Sequence, residues 1–232
     1  MRGTYLNTAS VIAGSAVGAL VQRAVPEDLR PLSQAAIGIG VVALGFKMFL
    51  ESKNVLIPIG SLILGVIVGH LLRIQAGIDI LGSFAERKFG GGSGFQESFV
   101  TSTILFCVGP MTLLGCLEDG LQGKTRLLSV KSILDGVSSV FIAATVGMGV
   151  FLSALSVFVI QGGLTLGAKQ FTGLSKRTDI LAEVSAAGGL ILPLIGLNLL
   201  GVLKLPTADF VPAILFAGLF THYFGKAKEP AP

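Results

Sequence analysis

Apolar runs without a charge alternate with short polar clusters along the whole chain. A helix needs about 20 residues to cross a hydrocarbon core, and the runs have that length. Eight spans are predicted. The first runs from Gly3 to Gln22, the second from Pro31 to Phe49 and the third from Val55 to Leu72. The segment from Arg73 to Glu97 holds Gly90-Gly91-Gly92-Ser93-Gly94 and reads as a flexible polar loop. Ser98 to Leu117 forms the fourth span. Ile180 to Leu203, with Pro193 inside it, forms the seventh, and Thr207 to Phe224 the eighth. Gly225 to Pro232 reads as a disordered tail.

The fifth and sixth spans rest on length. Gly136 to Ala168 carries no charge for 33 residues, about 50 Å of helix. That is too long for one crossing and short for two. Starting the fifth span near Leu128 and ending it near Phe151 leaves Ala154 to Gly173 for the sixth. One span plus a re-entrant segment is the alternative. With the earlier start, Asp135 lies about 10 Å inside the helix.

Composition agrees with a lipid solvent. Of 232 residues, 52% are hydrophobic and only 13% charged, against roughly 25% charged in an ordinary soluble domain. A soluble fold with so few charges would expose large apolar patches. The fold class is all-α: a polytopic transmembrane helical bundle in a single domain, residues 1–224. Arg2 with the apolar stretch after it resembles a signal peptide, but the run continues to Val21 and reads as a first span. The net charge of +4 is modest. Eleven Lys and Arg fall on the side of the N-terminus and six on the other. The positive-inside rule then places both termini in the cytoplasm.

Two triplets of spans resemble each other. Ala35-Ala36-Ile37-Gly38 and Ala43-Leu44-Gly45 match Ala186-Ala187-Gly188-Gly189 and Leu194-Ile195-Gly196 at an offset of 151. Gly14 and Gly18 match Gly163 and Gly167 at 149, and His70 matches His222 at 152. Residues 3–74 and 154–224 would then be inverted halves around a central pair, 98–151, a pattern frequent in secondary transporters. Similar Gly-rich composition is the competing explanation.

Polar groups within a bilayer are costly and mark function by default. Asn7 and Thr8 fall in the first span, Thr101, Ser102 and Thr103 in the fourth, Asp135, Ser138 and Ser139 in the fifth, Gln161 in the sixth and Asn198 in the seventh. Interhelical hydrogen bonding explains most such residues taken singly. Asp135 is the strongest candidate, suited to cation coordination or proton exchange; its alternative is an N-cap before Gly136. Glu118 and Asp119 close the fourth span on the same side, where Asp179 and Glu183 read as interfacial anchors. Gly109-Pro110 breaks the fourth span and frees backbone beside Cys107. Cys107 and Cys116 stand about 13 Å apart along a helix, too far for a disulfide. The pairs Gly14/Gly18, Gly65/Gly69 and Gly163/Gly167 predict close helix packing. No metal-ligand spacing, nucleotide loop or nucleophile elbow appears, so neither a cofactor nor an enzyme is expected.

Several segments carry a resemblance. Met1-Arg2-Gly3-Thr4 through Asn7-Thr8, Phe106-Cys107-Val108-Gly109-Pro110-Met111, Leu117-Glu118-Asp119-Gly120-Leu121 and Lys131-Ser132-Ile133-Leu134-Asp135-Gly136 come first. Gln161-Gly162 and Gly196-Leu197-Asn198-Leu199-Leu200 then follow in order. Together they resemble the YdfK/YqgA family of prokaryotic membrane proteins over nearly the whole chain. The resemblance implies an α-helical inner-membrane protein with a transport role, and assigns no substrate or catalytic residue.

The reading is a small transporter or channel-like protein for an ion or small polar solute. Asn7, Asp135, Gln161 and Asn198 would line the site, and Gly109-Pro110 would shape it. A structural or sensory subunit is the alternative from another class, and a membrane-embedded enzyme ranks below it. The expected partners are the lipid bilayer, the solute and a second copy packed through a Gly-xxx-Gly face; no feature points to nucleic acid.

Overall fold

The computed structural model describes residues 1–24, 26, 28–89, 94–107, 110–169 and 177–224. The expected tail at 225–232, Gly109 and glycines 90–92 lie outside the described residues. Regular structure among the described residues is helical throughout. Five helices are long and apolar enough to cross a bilayer: α1 (Arg2–Ala24), α2 (Leu29–Phe49), α7 (Arg126–Thr145), α8 (Gly149–Leu166) and α9 (Thr178–Leu199).

Two bent helix pairs are also long and apolar enough when each pair is taken as one span. α3 (Leu56–Leu71) meets α4 (Ile74–Phe89) at 54°, and α5 (Phe95–Cys107) meets α6 (Pro110–Gln122) at 57°. Counting each pair once gives seven spans. The expected eighth span is a short 3-10 helix, Thr207–Phe210, followed by α10 (Ala213–Phe224). The 12 residues of α10 extend about 18 Å, too short to cross alone.

The polar segment after Arg73 is helical as α4, not a flexible loop. Its first turn explains why. Asp209 accepts the Gln75 backbone N–H at 2.8 Å, and Gln75 Nε2 donates to Asp79 Oδ1 one turn on at 2.8 Å. Ile74 and Ile78 pack on the core while Ile80 and Phe84 face outward. Arg73, at φ 54°, takes the left-handed conformation that ends α3. The expected fifth and sixth spans also shift: α7 stops at Thr145 and α8 already begins at Gly149.

Contacts set the chain directions. Gly3 lies against Leu128, Gly14 against Gly136 and Gly18 against Val140, so α1 and α7 are parallel. Gly38 lies against Gly196 and Gly45 against Gly189, so α2 and α9 are antiparallel. α3 and α10 are antiparallel through Gly65 against Ala213 and Gly69 against Asp209. The α5–α6 pair advances along α8. Gly149 lies against Phe95, Gln161 reaches the Phe106 carbonyl, and Gly120 lies against Thr165 and Ala168. A hairpin would turn back along α8, so this pair is not re-entrant.

Glycine matters most at the α2–α9 crossing. Pro193 has no N–H for the Gly189 carbonyl one turn earlier. That carbonyl lies where a Gly45 Cβ would sit, at 2.6 Å, so a side chain at position 45 would separate the helices. Buried Glu183 then ties the α2–α3 turn to α9. It accepts Ser52 Oγ at 2.6 Å and the backbone N–H groups of Lys53 and Asn54 at 2.7 and 2.9 Å. The outer faces expose Leu20, Ile39, Ile133, Phe141 and Val159. Such an apolar surface is unfavourable in water and is suited to lipid.

Candidate functional site

Parallel packing of α1 on α7 brings Asn7 to Asp135. Gly14 and Gly18 let the two backbones approach, and Asp135 directly precedes Gly136 at that contact. Asn7 Nδ2 donates to Asp135 Oδ2 at 2.9 Å. Lys131 stands one turn before Asp135 on the same face. Its Nζ donates to both carboxylate oxygens at 2.8 Å. Asn7, Lys131 and Asp135 are all buried.

Asp135 lies about 14 Å into α7, whose N-cap is Thr125. Its side chain therefore belongs to the helix interior and caps nothing. Ser139 Oγ donates to the Asp135 carbonyl at 2.7 Å, and Ser138 is half-buried.

A second polar group comes from the break between α5 and α6. Pro110 cannot donate to the Phe106 carbonyl four residues earlier. That carbonyl instead accepts Thr112 Oγ1 at 3.0 Å and Gln161 Nε2, from α8, at 3.5 Å. Lys131 Nζ lies 6.0 Å from the centre of the Phe106 ring, which joins this group to the ion pair. Cys107 and Cys116 are both buried and free. Nearby, the Met1 ammonium and the Gly3 N–H bind Asp119 at 2.9 and 3.0 Å. Thr4 and Thr165 hydroxyls meet at 3.3 Å.

Among the described residues, Asn7 Oδ1, Gln161 Oε1 and Thr8 Oγ1 are buried oxygens without a hydrogen-bond partner. Such atoms are costly in a low-dielectric interior. The arrangement therefore offers a carboxylate, an ammonium and free amide oxygens within a closed helical packing.

The structure gathers Asn7, Cys107, Asp135 and Gln161 around α1, α5, α7 and α8, with Asp119 at the adjoining end. Asn198 does not join them. Its Nδ2 donates to the Leu205 carbonyl at 2.9 Å, and its Oδ1 accepts the Leu205 N–H at 3.1 Å. It closes the turn after α9. Glu118 is half-buried beside Asp119. Pro110 opens α6. Lys131, Thr112 and Thr165 are absent from the residues that the sequence points to as site members. Only Lys131 had a visible signal, its spacing of four from Asp135.

Gly14, Gly18, Gly65 and Gly69 each lie against another helix or the 3-10 turn of this chain. Gly163 has open space where its Cβ would be.

An all-helical chain with an apolar exterior and a charged pair buried among its spans is a polytopic membrane protein. Its sequence matches the family model described as protein of unknown function, DUF554, over residues 2–222, and the chain belongs to that family. It is 31% identical to the uncharacterized membrane protein YdfK of Bacillus subtilis (strain 168), covering 97% of this chain and 99% of that one. It is 25% identical to the uncharacterized protein YqgA of Escherichia coli (strain K12), covering 93% and 94%. No solved structure matches it.

Proposed function

We propose that this chain moves an ion or small polar solute across the membrane. Asn7, Lys131, Asp135 and Gln161 form the site that holds it. The carrying observation is the Lys131–Asp135 pair, with both side chains under a tenth exposed, inside an apolar span. Buried ion pairs add little net stability compared with packed apolar residues. Here the base also precedes the acid along the helix, the less favourable order against the helix dipole. Stability alone is a weak reason for both charges.

An inverted repeat of α1–α3 and α8–α10 supports the reading. The α2–α9 crossing is bracketed by Gly38 against Gly196 and Gly45 against Gly189. Its midpoint pairs positions 151 apart, the offset at which the two sequences match. The buried stripe Ile57, Ser61, Gly65, Gly69 on α3 has a counterpart at Asp209, Ala213, Ala217, Thr221, each 152 residues on. Transporters built this way hold their solutes between the repeats.

In this reading the protein lies in the inner membrane with its N-terminus cytoplasmic, and it is not an enzyme. A second copy would dock on the face at Gly163, which is open, because the Gly14/Gly18 and Gly65/Gly69 faces are occupied within the chain. The hydroxyls of Ser61, Ser132 and Thr221 bond to carbonyls of their own helices and are read as structural. The test is a screen of inorganic ions and small polar solutes with reconstituted protein on solid-supported membranes. At least one should give a current or flux above protein-free vesicles that vanishes in Asp135→Asn. Responses identical in the variant contradict the site.

A further inference from the structure

The ion pair itself points to a class of solute. We propose that Asp135 exchanges the Lys131 ammonium for a monovalent inorganic cation, and that Lys131 releases a proton as the cation enters. This rests on the transport reading of the same site and names its chemistry.

Charge balance carries the first part. Lys131 and Asp135 cancel each other among buried, apolar surroundings. A cation added beside an intact pair would leave one uncompensated positive charge in a low-dielectric interior, which is strongly unfavourable. Loss of one proton from Lys131 removes that excess. The N–H bond breaks, the electron pair stays on Nζ, the proton passes to water, and the cation takes the carboxylate. One cation enters for each proton released.

Ligand chemistry carries the second part. A hard cation is held by oxygens that replace its hydration shell. Asp135 supplies two carboxylate oxygens. Asn7 now turns its Nδ2 to that carboxylate, leaving Oδ1 buried without a partner. Rotation of the amide would bring Oδ1 to the same place, where it suits a cation and no longer an acceptor. The Phe106 ring face, 6.0 Å from Nζ, lies within the range at which an aromatic face attracts an ammonium, so it adds to the hold on Lys131 while the pair is intact.

The helices packed against α7 carry other ionisable groups, of which the Cys107 and Cys116 thiols lie within electrostatic reach of Lys131. The groups are Met1, paired with Asp119, and Arg2, Tyr5 and Arg23 on α1; Arg30 and Lys47 on α2; Glu97 and Cys107 on α5; and Cys116, Glu118 and Asp119 on α6. α8 carries none. α7 itself adds Arg126.

The test uses purified protein in weakly buffered detergent, with NaCl or KCl added against choline chloride at equal ionic strength. Sodium or potassium should release one proton per protein, and choline none. Lys131→Arg keeps the charge and the ion pair, but guanidinium does not deprotonate, so its release should vanish. The same cation should raise the unfolding midpoint of wild type, read by a thiol-reactive dye on buried Cys107 and Cys116, and not that of Asp135→Asn. If Asp135→Asn does not fold, Lys131→Arg decides the matter alone. Absence of proton release on both cations, or unchanged release in Lys131→Arg, overturns the proposal. Absent release beside Asp135-dependent solute flux sinks the exchange alone. Proton release without flux of any solute sinks the transport reading and leaves the exchange site standing.

Discussion

Asn7 Nδ2 and Asp135 Oδ2 meet at 2.9 Å across 128 residues of sequence. The contact exists because α1 and α7 run parallel with Gly14 seated on the Gly136 backbone. Replacing Asn7 with Leu leaves Asp135 with Lys131 as its remaining side-chain partner. Loss of a buried hydrogen bond to a charged group should cost about 1–3 kcal/mol. A lower unfolding midpoint in detergent is expected. A midpoint equal to wild type would show that the amide does not support the carboxylate.

Helix approach gives a sharper contrast. A Gly14→Val side chain would collide with the Gly136 carbonyl, whereas Gly60 has open space around its Cβ position. Gly14→Val should greatly reduce folded yield in fluorescence-detected size exclusion. Gly60→Ala should be neutral or gain up to roughly 1 kcal/mol from helix propensity. Equal behaviour of the two would contradict the α1–α7 contact.

Glu183→Ala removes the acceptor of the Lys53 and Asn54 N–H groups and of Ser52 Oγ. Hydrogen bonds to a charged group contribute about 1.5–3 kcal/mol each. The expected result is a destabilised α2–α3 turn, seen as faster proteolysis there. Unaltered cleavage would show that water replaces the carboxylate at no cost.

The multi-spanning character was legible because lipid demands long apolar runs, and these stand out without any knowledge of contacts. α4 was not. Its polar residues hide Ile74 and Ile78, and the acceptor that starts it, Asp209, lies far along the chain. The bend before it falls at Arg73, neither Gly nor Pro, and so carried no mark. Asp135 was visible as a carboxylate within a span. Asn198 looked equivalent to Asn7 in sequence. Its partner, Leu205, is seven residues away, and only the turn after α9 shows that its amide is already satisfied.

Chain direction yields a topological prediction. The α2–α3 turn meets the start of α9, since Lys53 Nζ donates to Thr178 Oγ1 at 3.0 Å. With α1 parallel to α7, the turns at Lys53 and Lys124 share one side. Single cysteines at these positions should react with a membrane-impermeant maleimide from the same side of inverted vesicles, and a cysteine at Gly201 from the other. Labelling of Lys53→Cys and Lys124→Cys from opposite sides would remove one crossing.

The most direct measurement compares flux of an accepted solute in proteoliposomes holding equal amounts of wild type, Asp135→Asn and Asn198→Leu. Asp135→Asn should lose more than about tenfold, the factor that roughly 1.4 kcal/mol represents. Asn198→Leu, which alters only the turn after α9, should retain flux once folded. Full flux in Asp135→Asn, or loss confined to Asn198→Leu, would contradict the buried pair as the transport site.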